Sequence, residues 1–350
     1  TVGQTLPFQQ PFLADSNIER ESDSLAETGI SAPPALTQVS VFGTIMPSLA
    51  IVIPAYKASY FRATLSSLAS QTDQRFSVYI GDDASPYSLE TIVKEFSGRM
   101  TIHYHRFDQN LGKENLVAHW TRCLGLCKNE EWIWLFSDDD LMEEHCVEAF
   151  QSASISPDVN VIHYALTFID ENGNLVRKTS DFPDLLSSAG FFDLLFRRQI
   201  DARMQDFVFR RSFLDTKGLV FFPLAWRTDT ATVMSAAISG GIQTIRDGTV
   251  FWRMSSENIS GQMDLTVKKN EANISFFNWT VSFYSEQGAT LPMSKFYLAK
   301  TEVFALEYLS LCQLFNDAEA STRALLPHKL GRIVLIAVLC LYRWFYRFTE

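Results

Sequence analysis

The segment that most restricts the fold is Trp132-Ile133-Trp134-Leu135-Phe136, an apolar run that leads through Ser137 into Asp138, Asp139 and Asp140. A short run this rich in aromatic and branched residues reads as a buried strand. It delivers consecutive carboxylates to its C-terminal end. At an effective dielectric of about 20, two like charges roughly 4 Å apart repel by about 4 kcal/mol, so such a cluster calls for a cation. Hard oxygen donors suit Mg²⁺ or Mn²⁺, which commonly share their coordination shell with substrate phosphates. The competing reading is a solvated acidic turn that caps a helix starting near Leu141.

Around this segment, apolar strand-like runs alternate with amphipathic stretches. Strands are expected at 49–53, 76–80, 101–105 and 132–136, and helices at 58–70, 89–96 and 113–126. This alternation is that of an α/β domain with a parallel sheet. In such sheets ligands bind beyond the carboxyl ends of the strands, so the loops that follow them should converge on one crevice. After Phe150 the pattern becomes mixed. Residues 159–168 and Leu175-Val176 flank the turn Glu171-Asn172-Gly173-Asn174 as a hairpin, and Asp247-Gly248 marks a second hairpin between 243–245 and 250–252. Helical stretches are expected at 273–286, 291–314 and 328–348. Residues 1–45 carry Ser, Pro and Glu with little periodicity and read as a flexible N-terminal arm, with patterned sequence starting at Met46.

With 350 residues, 47% of them hydrophobic, the chain has material for a sizeable core. A net charge of −10 disfavours a polyanion-binding surface, so nucleic acid is not an expected partner. Five cysteines without paired CxxC spacing suggest reduced thiols and a cytoplasmic setting. The apolar part of 328–348 is shorter than the about 20 residues a spanning helix needs. Its flanking Arg and aromatic residues suit either an interfacial helix at the inner face of the plasma membrane or a buried terminal one.

Ile51-Val52-Ile53-Pro54-Ala55-Tyr56, Ile80-Gly81-Asp82-Asp83-Ala84-Ser85, Asn110-Leu111-Gly112 and Ser137-Asp138-Asp139-Asp140 follow one another in that order. Together they resemble glycosyltransferase family 2, over about 46–261. The resemblance implies a GT-A nucleotide-diphospho-sugar transferase fold: an α/β domain at 46–265, its mixed, mostly parallel sheet flanked by helices, with a helical C-terminal extension at 266–350. It implies an inverting, metal-dependent transfer of a sugar from a nucleotide diphosphate donor, a UDP-sugar above all, to a saccharide or lipid-linked acceptor in bacterial polysaccharide or glycolipid synthesis.

On this resemblance, Tyr56, placed after Pro54 in the donor-binding loop, lies against the base, and Asp82 or Asp83 accepts hydrogen bonds from base and ribose, the competing reading of 82–86 being a turn plus helix cap. Asn110 and Gly112 let the backbone pass close to the donor, and Lys113 faces a phosphate or is a surface lysine at a helix start. Asp138 and Asp140 match the DXD motif as ligands of Mn²⁺ or Mg²⁺, with Asp139 in the donor site. Many members read Asp-x-Asp-Asp, and Ser137 here takes the place of the first acid, so the register stays open between Asp138/Asp140 and Asp139/Asp140. Asp229, after Trp226, is the candidate base on the acceptor hydroxyl, or the N-cap of a helix at 231–239. Arg253 and Ser255 reach the diphosphate, or Arg253 is structural. Two rivals remain: a sugar nucleotidyltransferase, although residues 53–58 lack a Gly-rich triphosphate loop, and a non-catalytic nucleotide-sugar-binding scaffold.

Overall fold

The computed structural model describes residues 48–262 and 265–289. The expected arm at 1–45, the helices at 291–314 and 328–348, and the membrane contact at 328–348 lie outside the described residues. Within those described, no helix is long and apolar enough to cross a membrane.

The strands are β1 Leu49–Ala55, β2 Phe76–Asp82, β3 Thr101–Arg106, β4 Trp132–Leu135 and β5 Leu141–Met142, followed by β6 Val161–Ile169, β7 Leu175–Lys178, β8 Leu185–Leu186, β9 Phe207–Arg210 and β10 Ile242–Arg253. They form one sheet in the order β3-β2-β1-β4-β9-β6-β10-β5, with β7 beside β6 and β8 beside β10. β3, β2, β1 and β4 are parallel. β9 is antiparallel to both β4 and β6, and β6 is parallel to β10. β6 and β10 therefore end on the same side as β1, β2 and β4.

The helices are α1 Phe61–Ala69, α2 Leu89–Lys94, α3 Leu116–Leu124, α4 Cys146–Ser152, α5 Ser188–Phe196, α6 Arg211–Lys217, α7 Thr228–Gly240 and α8 Thr266–Glu286. They cover both sheet faces, which is why the central strands are apolar on every residue. Along β1, Ala50 and Val52 enter one core while Leu49, Ile51 and Ile53 enter the other. Along β4, Ile133 and Leu135 divide from Trp132 and Trp134 in the same way. α1, α2 and α4 close the second core, and α5 to α8 close the first. α8 inserts Phe276 and Phe277 against Phe196 and Phe222, so the first helix of the region read as an extension shares the core of the sheet.

Three local expectations are corrected. Asp247-Gly248 is not a hairpin turn: β10 runs straight through it, and both halves pair parallel with β6, with the register shifting between Ile245 and Thr249. Gly248 has φ +117°, and an added Cβ would come within 2.8 Å of Cys146 Sγ, so glycine serves a bulge packed on α4. The chain after the acidic triplet forms β5 against β10 before α4 begins at Cys146, so no helix starts near Leu141. α3 starts at Leu116 rather than 113, because the Asn115 side chain caps it by accepting from Ala118 N at 2.9 Å. The hairpin at 171–174 is present as β6 and β7.

Candidate active site

Four loops leave the carboxyl ends of β1, β2, β4 and β10, and hydrogen bonds tie them into one cluster. The acidic triplet is buried, with Asp138, Asp139 and Asp140 at 4%, 3% and 1% exposure, which rules out a solvated turn. Asp138 Oδ2 accepts the backbone N–H groups of Tyr56 and Lys57, both at 2.8 Å. The loop after β1 is thereby fastened to the end of β4. Ser85 Oγ donates to Tyr56 O at 2.6 Å, and Asp83 N donates to Ala55 O at 2.9 Å, which fastens the same loop to the end of β2. The triplet and the Asp83 loop are thus tied to one another through the loop after β1.

Each acid has a distinct set of partners. Asp82, fully buried, accepts from Ser85 N at 2.7 Å, Tyr104 Oη at 2.5 Å and Arg106 Nη1 at 2.7 Å, and so ties β3 to β2. Asp83 accepts from Leu111 N and Gly112 N at 2.8 Å each, and from Arg122. A Cβ on Gly112 would lie 2.6 Å from Asp83 Oδ2, so the close approach requires glycine there. Asn110 Oδ1 accepts from Lys113 N at 2.9 Å and shapes the turn, while the Lys113 side chain is exposed. Pro54 is half-buried in β1, and the Tyr56 side chain is 40% exposed.

Asp140 is engaged on both oxygens, by Arg253 N at 2.7 Å and Gln205 Nε2 at 2.6 Å. Burial and the neighbouring Asp139 charge push its carboxyl well above the usual range. The Lys57 ammonium contacts Asp139 Oδ2 and lies 3.3 Å from Asp138 Oδ1. Burial pulls this ammonium down, but Asp138 and Asp139 outweigh it and hold its pKa raised. Arg253 is 3% exposed and donates to three backbone oxygens, those of Asp139, Asp170 and Glu171, while its guanidinium stacks over Tyr60. Ser255 donates to Asn258 Oδ1 at 3.1 Å in the loop after β10, and Glu257 of that loop accepts from Ser59 Oγ at 2.8 Å.

Asp229 is half-buried in the first turn of α7. It is not the N-cap, which is Arg227 at φ +75°. Leu224 and Ala225 also have positive φ, so the turn into α7 concentrates backbone strain next to Asp229. Burial pushes the Asp206 carboxyl well up and the Asp229 charge adds to it. Asp206 follows Gln205, the partner of Asp140, and the Asp229 side chain itself accepts from Thr230 N at 2.7 Å.

Among the described residues, no three or more His, Cys, Asp and Glu side chains form a ready cage for a metal ion. Two carboxylate oxygens, Asp138 Oδ1 and Asp139 Oδ2, nevertheless converge on one cationic atom, Lys57 Nζ. A divalent ion that takes most of its ligands from a diphosphate and water needs one or two carboxylates, and this pair fits it. Lys57, Gln205 and Arg122 were not singled out by the motifs. Lys57 carried a positional signal, since it follows Tyr56 in a strand-end loop, whereas Gln205 and Arg122 reach their carboxylates from distant segments that carry no motif.

Residues 50–216 match the family model described as Glycosyl transferase family 2. An uncharacterized glycosyltransferase of Haemophilus influenzae is 31% identical over 119 residues, 33% of this chain and 38% of that protein, so the match spans well under two thirds of that relative. The structure of S. aureus TarS 1-349 in complex with UDP-GlcNAc superposes with a TM-score of 0.54 at 16% identity, over 87% of this chain and 93% of that one. The mannosyltransferase PcManGT from Pyrobaculum calidifontis, in complex with GDP-Man and Mn²⁺, gives 0.51 at 14% identity, over 85% and 81%. At these identities the structural likeness concerns the fold. From β1 to α6 the chain thus carries a region that matches glycosyltransferase family 2, on a fold of the GT-A kind.

Proposed function

We propose that the chain is an inverting glycosyltransferase that takes a sugar from a nucleoside diphosphate, with a UDP-sugar as donor, and passes it to a saccharide or lipid-linked hydroxyl with the help of Mn²⁺ or Mg²⁺. The observation that carries this reading is the joining of the acidic triplet to the Asp83 loop through the Tyr56 loop, which supports a cation and a nucleoside bound side by side. The solved relatives that carry UDP-GlcNAc and GDP-Man support the donor class.

In this reading the exposed Tyr56 ring lies against the base, and the 110–112 loop, with Lys113 at its end, lines the nucleoside ledge. Asp83 keeps an oxygen lone pair for a base or ribose donor, while Asp82 holds the ledge rigid through Tyr104 and Arg106. Asp138 and Asp139 face the cation, and Asp140, named with Asp138 by the motif, anchors β10 and Gln205 instead. When bound, the divalent ion supplies neutralisation of the charge that develops on the leaving diphosphate. Arg253 braces the triplet through Asp139 O, and Ser255 belongs to the loop that borders the donor. Asp229 takes the proton of the acceptor hydroxyl on the side opposite the leaving group.

The test is a panel of nucleotide sugars incubated with Mn²⁺ and read as nucleoside diphosphate release. Release from one donor, abolished by chelation, is expected. Absence of release from every donor, with pyrophosphate formed from a nucleoside triphosphate and a sugar phosphate, would make it a nucleotidyltransferase; absence of both would make it a binding protein.

A further inference from the structure

The acidic cluster already contains a cation of its own, the Lys57 ammonium. It touches Asp139 Oδ2 and lies 3.3 Å from Asp138 Oδ1, the two carboxylate oxygens left over once the backbone amides, Ser137, Gln205 and Arg253 have taken theirs. Lys57 is held at its root, because its own N–H donates to Asp138 Oδ2, but its tail is not enclosed: the side chain is 27% exposed against 6% and 5% for the two aspartates. A lysine is a point charge on a flexible four-carbon stem, so the tail can swing out while the loop stays fixed.

From this geometry we infer that Lys57 is the resident counter-ion of the aspartate cluster and competes with the divalent cation for a single position, so that loading the metal requires the Lys57 ammonium to leave. The inference rests on the proposed nucleotide-sugar reading and deepens it. An ammonium and a dication cannot both sit against Asp138 Oδ1 and Asp139 Oδ2, since their mutual repulsion would cancel what the second cation gains. Before the donor arrives, the Lys57 ammonium sits against Asp138 Oδ1 and Asp139 Oδ2, while the backbone N–H groups of Tyr56 and Lys57 fasten the loop to Asp138. When a nucleoside diphosphate enters with its metal, the displaced ammonium, tethered at the mouth, meets an anion that takes over as its partner. The exchange makes metal binding weak without nucleotide and links the two ligands.

Binding of Mn²⁺ to the full chain, followed by the electron paramagnetic resonance of the free ion, tests this directly. Without nucleotide, Lys57→Met should bind Mn²⁺ about tenfold more tightly than the unmodified protein, the scale of a lost ion-pair competitor, while Lys57→Arg should not gain affinity. UDP should tighten Mn²⁺ binding of the unmodified protein more than that of Lys57→Met. Equal or weaker Mn²⁺ binding by Lys57→Met would overturn the inference. The unmodified protein gives a second reading that needs no variant: acetylation of Lys57 by acetic anhydride, quantified against the exposed Lys113, should rise several-fold when Mn²⁺ is added, and an unchanged yield would equally overturn it. If Mn²⁺ tightens UDP binding while Lys57→Met gains nothing, only the role of Lys57 falls; if Mn²⁺ leaves UDP affinity unchanged in the unmodified protein, the metal reading itself falls.

Discussion

Asp229 and Gly112 carry the residue-scale consequences of this site. Asp229 lies half-buried in the first turn of α7, the position proposed for the base. Asp229→Asn should lower kcat by about 10²–10⁴-fold, the usual weight of a general base, with UDP affinity unchanged by calorimetry. Preserved turnover would remove Asp229 from the mechanism. Gly112→Ala pushes a methyl to 2.6 Å from Asp83 Oδ2, an atom that Gly112 N–H itself holds at 2.8 Å. The 110–112 loop then has to move away from β2, and UDP binding should weaken by about 1–3 kcal/mol. An unaltered dissociation constant would show that the ledge does not depend on this approach.

At the scale of elements, the bulge in β10 is the feature that a sequence pattern most readily misassigns. Asp-Gly signals a positive φ, and both a hairpin turn and a bulge meet that need. What separates them is whether the two flanking runs pair with each other or with a third strand, and local sequence does not contain that. Here both pair with β6, and the bulge lets Thr249 O accept from Cys146 Sγ and from Glu143 N. Gly248→Ala would place a Cβ 3.0 Å from the Cys146 backbone at φ +117°, a region that L side chains avoid. Urea unfolding should show a loss of about 1–3 kcal/mol, and full retention of stability would mean that the bulge can relax. The parallel strands and their helices were legible because buried apolar runs and amphipathic stretches alternate with little ambiguity. The short β5 was not, since two residues cannot show a period. The candidate site was legible as strand-end acids, but the division of labour among them was not: Asp138 is set by the amides of the β1 loop and Asp140 by Gln205, contacts that span 81 and 65 residues.

For the whole molecule, the buried histidine behind Asp83 couples the site to pH. His119 Nδ1 accepts from Arg122 Nε at 3.1 Å, so it must be unprotonated for Arg122 to hold Asp83 in this way. Burial, partly offset by Asp83, pushes its pKa down to about 4 from 6.5. Below pH about 6.5 the unfolded chain takes up a proton that the folded chain refuses, so the stability His119 contributes is present above that pH and is lost as pH falls towards about 4. His119→Gln, whose amide oxygen can still accept from Arg122, should show a shallower fall in Tm across that window than the unmodified protein. Parallel curves would mean that His119 does not carry the shift.

The central claim is that Asp138 and Asp139 gather a dication against the diphosphate of a nucleotide sugar, at a crevice shared with Asp83. Calorimetric titration of UDP into the unmodified protein and into Asp139→Asn, each with and without Mn²⁺, tests it most directly. The account predicts that Mn²⁺ tightens UDP binding at least about tenfold, a gain of about 1.4 kcal/mol, in the unmodified protein and that most of this gain disappears in Asp139→Asn. UDP affinity indifferent to Mn²⁺ in the unmodified protein, or an undiminished gain in the variant, would contradict it.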